Sequence, residues 1–345
     1  ITQFTGYAGC KSLEQLLPHL ENKWWRSQAS IKFDSIYVAK EAEFLNKIPE
    51  KYKDLYAIIS QKEILDLLET NNKEYLVALS SRKGCMNSAL FCEELAGYML
   101  QTYPDRFKLI EHTPIKKAVL YKNEGVLVTD THSITANKIV LCTNGFENIS
   151  IENKQGGDID TKFHELVNGV VGYMAGYLAP LNKPPTAITY FVGNSSSDEN
   201  LSETQPYVYL TRRVFGMDKN EQHTLICIGG PESQLDEKIK YVKSSTFPSS
   251  ADEEIETFLH KNYKDAPEVI DYKFKWHGLM GYTKNGIRCI GSEPCNPILL
   301  YNLGCNGVGL LPAIYGGKRI ALLLKYGKLQ KSIFDPADQR CLRIQ

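Results

Sequence analysis

The sequence predicts an α/β fold, in one large or two ordinary domains for its 345 residues. Three observations carry that reading. Residues 298–327 hold an apolar run (Ile298 to Leu303), a glycine cluster (Gly304, Gly307, Gly309) and an amphipathic helix that reaches about Lys325 and stops at Gly327. Ile139 to Cys142 is apolar on successive residues, as in a central parallel strand, and ends at Thr143-Asn144-Gly145. Tyr207 to Arg213 and Leu225 to Ile228 read as antiparallel strands, the first with clear alternation.

The remaining elements follow in order. Residues 11–50 read as helical and polar-faced, with Trp24 and Trp25 covering a core edge. A brief apolar run at 55–59 precedes Ser60, which with Glu63 forms a capping box for the next helix. Tyr75 to Leu79 is a strand leading to SSRKGCMNS, and Asn87 or Ser88 caps a helix through Leu90, Phe91, Leu95 and Met99. A strand at Lys108 to Glu111 meets a turn at Thr113-Pro114. A hairpin pairs Lys117 to Tyr121 with Gly125 to Asp130. The signals weaken over 150–200. Residues 250–264 then form a charged helix, and Tyr272 to Trp276 a strand entering HGLMGYTKNGIRCIG, with a tight turn at Asn285-Gly286.

Composition excludes several classes. Lys plus Arg and Asp plus Glu number 40 each, so no net field favours nucleic acid or an anionic membrane. No apolar stretch reaches the ~18 residues of a membrane span and no signal-peptide pattern opens the chain, so the cytoplasm is the default expectation. Nine cysteines (10, 85, 92, 142, 227, 289, 295, 305, 341) show no metal-ligand spacing, and their scatter fits a reducing compartment and ordinary burial.

Strand, glycine loop, helix is a geometry that points unpaired backbone N–H groups at one spot, and glycines let a flat or anionic ligand approach closely. The order here, G-x-x-G-x-G, is not the G-x-G-x-x-G of a dinucleotide fingerprint. A tight turn with no ligand is the plain alternative, as is a surface turn at 143–145.

Four segments in this order resemble the D-amino-acid oxidase superfamily of FAD-dependent oxidoreductases, which includes glycine and sarcosine oxidases. They are GCMNSALFCEEL, HTPIKKAV with ITANKIVLCTNGF, WHGLMGYTKNGIRCIG, and NLGCNGVGLLPAIYGGKRIALLL. The resemblance covers most of 30–336, with 150–270 similar in pattern only. It implies a Rossmann-like, glutathione-reductase-type FAD-binding domain (80–150 and 275–345) interleaved with an antiparallel-sheet α+β substrate domain (30–79 and 151–274). It also implies a cofactor, FAD. Thr113, Pro114 and Ile115 would flank the adenine, and Thr143, Asn144 and Gly145 the ribose and pyrophosphate. Gly304 belongs to the glycine loop, and Asn306, Gly307, Val308, Gly309 and Leu310 would offer backbone N–H groups to the flavin pyrimidine edge. There the helix dipole steadies charge on the reduced ring. Trp276 to Met280, with Gly278 among them, would pass beside the isoalloxazine.

Two departures stand beside the resemblance. The strand–GxGxxG–helix unit and the acidic residue with which the family opens are absent from the sequence, which starts at Ile1; the expectation is that processing or cropping has removed them. Met280 and Gly281 occupy the neighbourhood where glycine-oxidase-like members carry a carboxylate-binding arginine.

Candidates for substrate contact are Tyr207, Tyr209, Arg213, His277 and Arg288. Alternation places Tyr207, Tyr209, Thr211 and Arg213 on one face and Arg212 on the other, and a solvated strand face explains the pattern equally. Arg288 reaches the flavin or substrate, or is a surface arginine. His277 polarises a substrate, or is a hydrogen-bonded structural histidine. Cys305 is a small packed side chain, with a covalent flavin link as the alternative. No side chain is assigned as catalytic acid or base, because the flavin carries the chemistry. The reaction this implies is oxidation of a C–N bond in a small amine or amino acid by hydride transfer to flavin. A hydroxy-acid or polyol-phosphate dehydrogenase and a truncated, non-enzymatic binding protein are the alternatives. Oligomeric state is not legible.

Overall fold

The computed structural model describes residues 32–39, 50, 53, 56–68, 70–84, 88–144, 148–181, 186–191, 207–216, 222–235 and 241–336. Trp24, Trp25 and Gly145 lie outside them.

The largest layer is an eight-stranded sheet. Its strands are β1 (Lys32–Ala39), β2 (Ala57–Ser60), β3 (Val77–Gly84), β9 (Val167–Pro180), β10 (Thr186–Phe191), β11 (Tyr207–Phe215), β12 (His223–Gln234) and β13 (Tyr272–Thr283). They lie in the order β13-β9-β12-β11-β10-β1-β3-β2, antiparallel throughout except where β1 runs parallel to β10. A four-stranded sheet has the order β6-β5-β4-β8 and holds β4 (Lys117–Leu120), β5 (Gly125–Val128), β6 (Ser133–Ala136) and β8 (Ser150–Asn153). A three-stranded sheet, β14-β15-β7, joins β7 (Ile139–Leu141), β14 (Cys289–Ser292) and β15 (Leu299–Leu303), with β15 parallel to β7. Five helices accompany them among the described residues: α1 (Gln61–Leu67), α2 (Ser88–Thr102), α3 (Ile159–Leu166), α4 (Ser249–Asn262) and α5 (Leu310–Tyr326).

Two cores hold these layers. One face of the large sheet (Ala78, Ala175, Ile188, Tyr190, Leu210, Ile228) packs with Tyr75 on Ile64 of α1 and on Ile255, Phe258 and Leu259 of α4. Inside it the hydroxyls of Tyr190 and Tyr263 bond to each other, which lets two polar tips stay buried. The second core joins β4, β7, β8, α3 and β15 through Leu120, Leu141, Ile151, Phe163, Leu299 and Tyr301.

A buried ion pair sits at the edge of that second core. Lys162 on α3 donates to Glu293 at 2.5 Å, both side chains at most 5% exposed. Glu293 also accepts from the Tyr301 hydroxyl and the Cys295 amide, each at 2.9 Å. Cys295 is itself disulfide-bonded, and Cys92 and Cys142 are exposed, so uniform burial of reduced cysteines is not what the fold shows.

Several sequence readings hold in detail. Ser60 and Glu63 make the reciprocal capping box, and Gly327 ends α5 at a left-handed φ of 71°. Others need correction. Residues 32–39 are a strand, because β3 and β10 flank them and take up their backbone groups. Residues 108–111 form no strand; no described strand lies beside them, and Leu109 and Ile110 are exposed. β7 is buried on one side only, with Val140 exposed. The 14-residue β9 went unread since Gly169, Gly172 and Gly176 interrupt its apolar pattern.

Lys162→Met should destabilise the protein by about 3–5 kcal/mol, because it leaves the Glu293 carboxylate buried without its cation. Pairing it with Glu293→Leu should recover most of that loss. Urea unfolding of the three proteins measures both.

Candidate active site

The glycine loop leaves β15 and enters α5 through three left-handed residues in four: Gly304 (φ 83°), Asn306 (φ 49°) and Gly307 (φ 75°). Arg288 clamps the loop from behind. Its Nε donates to the Asn302 side chain (2.6 Å), Nη2 to the Asn302 carbonyl (2.9 Å) and Nη1 to the Gly304 carbonyl (3.1 Å). It is buried, not at the surface, and that burial lowers its pKa from the usual arginine range. These bonds direct the guanidinium at the loop backbone.

The loop docks on a sheet edge. β13 is the outermost strand of the large sheet, so alternate N–H and C=O groups along it have no strand to pair with. Asn306 supplies two partners: its amide donates to the Gly281 carbonyl (3.0 Å) and its side-chain oxygen accepts from the Thr283 amide (2.8 Å). Asn144, also left-handed at φ 62°, donates from its side chain to the Leu279 carbonyl (3.4 Å) and accepts from the Cys305 amide (3.0 Å). Gly281 permits this approach, since a Cβ there would sit 2.0 Å from the Asn144 carbonyl oxygen.

These bonds decide which N–H groups stay available. Those of Asn306 and Val308 are occupied, by Gly281 and Cys305 respectively. The amides of Gly307, Gly309 and Leu310 have no acceptor among the described residues, and α5 begins with no side-chain cap. An uncapped helix start beside glycines is a cradle for an electron-rich ring edge or an anion. Across the loop the Thr143 hydroxyl is buried without a partner. A flavin dinucleotide fits this donor set. Thr113, Pro114 and Ile115 lie just ahead of β4, and of them Ile115 packs on the second core.

The second face of the large sheet, opposite α4, fronts this loop. Gly172, Gly229 and Gly278 lie on it, and bulky neighbours lean across them: Met280 over Gly172, Tyr209 over Gly229, Trp276 over Gly278. The hydroxyls of Tyr207 and Tyr282 both reach Gly307, within 3.3 Å and 3.0 Å of where its Cβ would be. Burial pushes up the pKa of Tyr207, Tyr209 and Tyr282. Desolvation likewise raises Glu232, which interacts with Tyr207. Tyr282 and Glu232 were missed in the sequence because both lie past the apparent ends of their strands; the parity of Tyr282 with Met280 was the available signal.

The other candidates separate from this group. Arg213 shares the face but sits six residues from Tyr207, about 20 Å along the strand. Arg212 turns to the opposite face and lies over the Tyr263 ring at 5.3 Å. His277 has both ring nitrogens within hydrogen-bond distance, of the Tyr241 hydroxyl (3.1 Å) and the Ser245 carbonyl (2.9 Å), as a structural histidine would. Cys305 is a free, half-buried thiol inside the loop.

Residues 28–323 match the family model described as FAD dependent oxidoreductase. The chain belongs to that family. Its cofactor is FAD, and it is an oxidoreductase. No curated protein sequence matches. The fold is similar to that of L-proline dehydrogenase from P. horikoshii (15% identity, TM-score 0.67, covering 95% of this chain and 81% of that one). Glycine oxidase from Bacillus cereus ATCC 14579 is similar at 12% identity and TM-score 0.63, over 94% and 81% of the two chains. L-alpha-Glycerophosphate Oxidase from Mycoplasma pneumoniae, solved with FAD bound, matches at 13% and 0.61 over 96% and 82%. Among the described residues no helix is long and apolar enough to cross a membrane.

Three glycine-to-alanine changes test the docking. A Cβ at Gly316 would strike the Asn302 side chain at 2.2 Å, whereas at Gly317, the next position of the same helix, it meets nothing within 4 Å. Gly316→Ala should therefore destabilise by about 1–3 kcal/mol and Gly317→Ala stabilise by about 0.5–1 kcal/mol, both read by chemical denaturation. Gly281→Ala should push Asn144 off β13 and weaken FAD binding at least tenfold, followed by quenching of flavin fluorescence.

Proposed function

We propose that this protein oxidises the C–N bond of a small amine or amino acid. The observation that carries the reading is the docking of the glycine loop on β13. It sets the free amides of Gly307, Gly309 and Leu310 beside a sheet face of glycines and tyrosines, where a flat ring and a small organic substrate can meet. Bound FAD would accept the hydride from the carbon next to nitrogen, two electrons with one hydrogen, and water would hydrolyse the resulting imine to a carbonyl compound and an amine.

The chain's own residues hold and shape that site. The Leu310 end of α5 presents N–H groups where negative charge develops on reduction, an interaction of about 0.3–2 kcal/mol per contact. Thr143 offers a hydroxyl to the dinucleotide. Trp276, Met280 and Tyr209 lie across the glycines of the sheet face and shape it. We assign the FAD-binding part to residues 80–150 and 275–345 and the substrate part to 30–79 and 151–274. The two cores support this division except over 151–167, where Ile151, Ile159, Phe163 and Val167 pack into the second core with the FAD-binding part.

A polyol-phosphate or hydroxy-acid substrate is the second reading, favoured by Arg213, whose side chain makes no hydrogen bond among the described residues. Anaerobic mixing of the FAD-loaded protein with panels of amines, amino acids, hydroxy acids and glycerol phosphates separates the two. Bleaching of the flavin absorbance by amines or amino acids alone is the expected result. Bleaching by hydroxy acids or glycerol phosphates alone would overturn it.

A further inference from the structure

The side chains beside the glycine loop have a charge pattern that an amino-acid carboxylate does not match. Glu232 follows the bulge in β12 and pairs in register with Gly172 of β9, which pairs in turn with Gly278 of β13. Partners in register point to one side of a sheet. Glu232 therefore stands over the same glycine floor that Trp276 and Met280 lean across, and it interacts with Tyr207. The rings of Tyr207 and Tyr209 lie 5.9 Å apart, and the Tyr207 and Tyr282 hydroxyls converge on Gly307. The floor is thus walled by electron-rich rings and carries one carboxylate.

Cations that could pair with a substrate carboxylate are remote from this floor. On strands β9 to β13 the described basic side chains of this face are Arg213, about 20 Å along β11 from Tyr207, and His223, farther out still opposite Phe215; Lys284 is exposed in the turn after β13. Arg288 is buried and bonded to the loop. Glu232 accordingly has no described cation, and desolvation leaves its carboxyl raised.

We propose that this face is a cation subsite. The rings of Tyr207, Tyr282 and Trp276 and the carboxylate of Glu232 bind the alkylammonium group of a secondary or tertiary amine, so that the amine, and not a carboxylate, anchors the substrate. Aromatic faces attract such a cation by their quadrupole. Glycines at 172 and 278 keep Cβ atoms off the floor and let Met280 and Trp276 lie flat across it. This inference rests on the flavin oxidation reading and narrows its substrate class.

The test uses FAD-loaded protein with trimethylammonium chloride and sodium acetate as probes, by calorimetry and by change in the visible flavin spectrum. The wild type should bind trimethylammonium and not acetate. Glu232→Gln, isosteric and on a solvent-reachable strand, should weaken that binding about tenfold, and Tyr282→Ala about threefold to tenfold, while Tyr282→Phe keeps it. Unchanged FAD content in each variant shows that the fold and cofactor site are intact. Equal binding by wild type and Glu232→Gln, or a preference for acetate, would overturn the cation subsite and leave the flavin reading standing. Failure of the wild type to take up FAD would instead remove the flavin reading, and this inference with it.

Discussion

The open edge of β13 is the constraint on which the rest of the site depends. An edge strand presents a row of backbone groups that must find partners, and a buried one left unpaired costs about 1–3 kcal/mol. Here two asparagines, 144 and 306, take that row. Each adopts the left-handed conformation that asparagine tolerates better than most residues. Asn144 donates to the edge from its side chain, and Asn306 meets it with its backbone N–H and its side-chain oxygen. The result ties the end of β7 and the start of α5 to the same edge, so that the loop which offers N–H groups and the sheet that offers side chains are held at a fixed separation.

Small residues follow from that contact. Gly281 lets Asn144 reach the edge, and a Cβ on Gly304 would meet the Thr283 methyl at 2.5 Å. Gly316 makes room for Asn302, whose side chain accepts from Arg288 and donates to the Ala313 carbonyl at 3.1 Å. The clamp is continuous: helix α5 to Asn302, Asn302 to Arg288, Arg288 to the Gly304 carbonyl. A rigid loop of this kind positions backbone donors more firmly than side chains could, which is what a group that changes charge during reaction requires.

Much of this was legible in the sequence, and the parts that were not share a cause. The strand–glycine–helix at 298–327, the capping box at Ser60 and the hairpin at 117–128 are local features, set by residues a few positions apart, and the structure has them. β9 and the end of β13 were obscured because their glycines serve contacts made across the sheet, such as Gly172 with Met280, which no local periodicity records. Asn144 and Asn306 were read as ligand contacts. Their side chains turn out to bond segments 135 and 23 residues away, a role visible only once β13 is known to be an edge. Arg288 illustrates the same limit, since its bonds to Asn302 depend on β14 and β15 pairing.

The chemistry of the sheet face follows from register more than from composition. Tyr207, Tyr209, Thr211 and Arg213 alternate onto one side, which from sequence suggests a single basic and aromatic pocket. Register divides them. Tyr209 opposes Gly229 and stands at the glycine floor, whereas Arg213 opposes Leu225, four residues farther along the pair. The bulge after Gly229 then shifts β12 so that Glu232 opposes Gly172 and joins the floor. One inserted step in a single strand thus brings a carboxylate, in place of Pro231, onto the floor beside the glycine loop. Met280, which leans over Gly172, lies on that same floor.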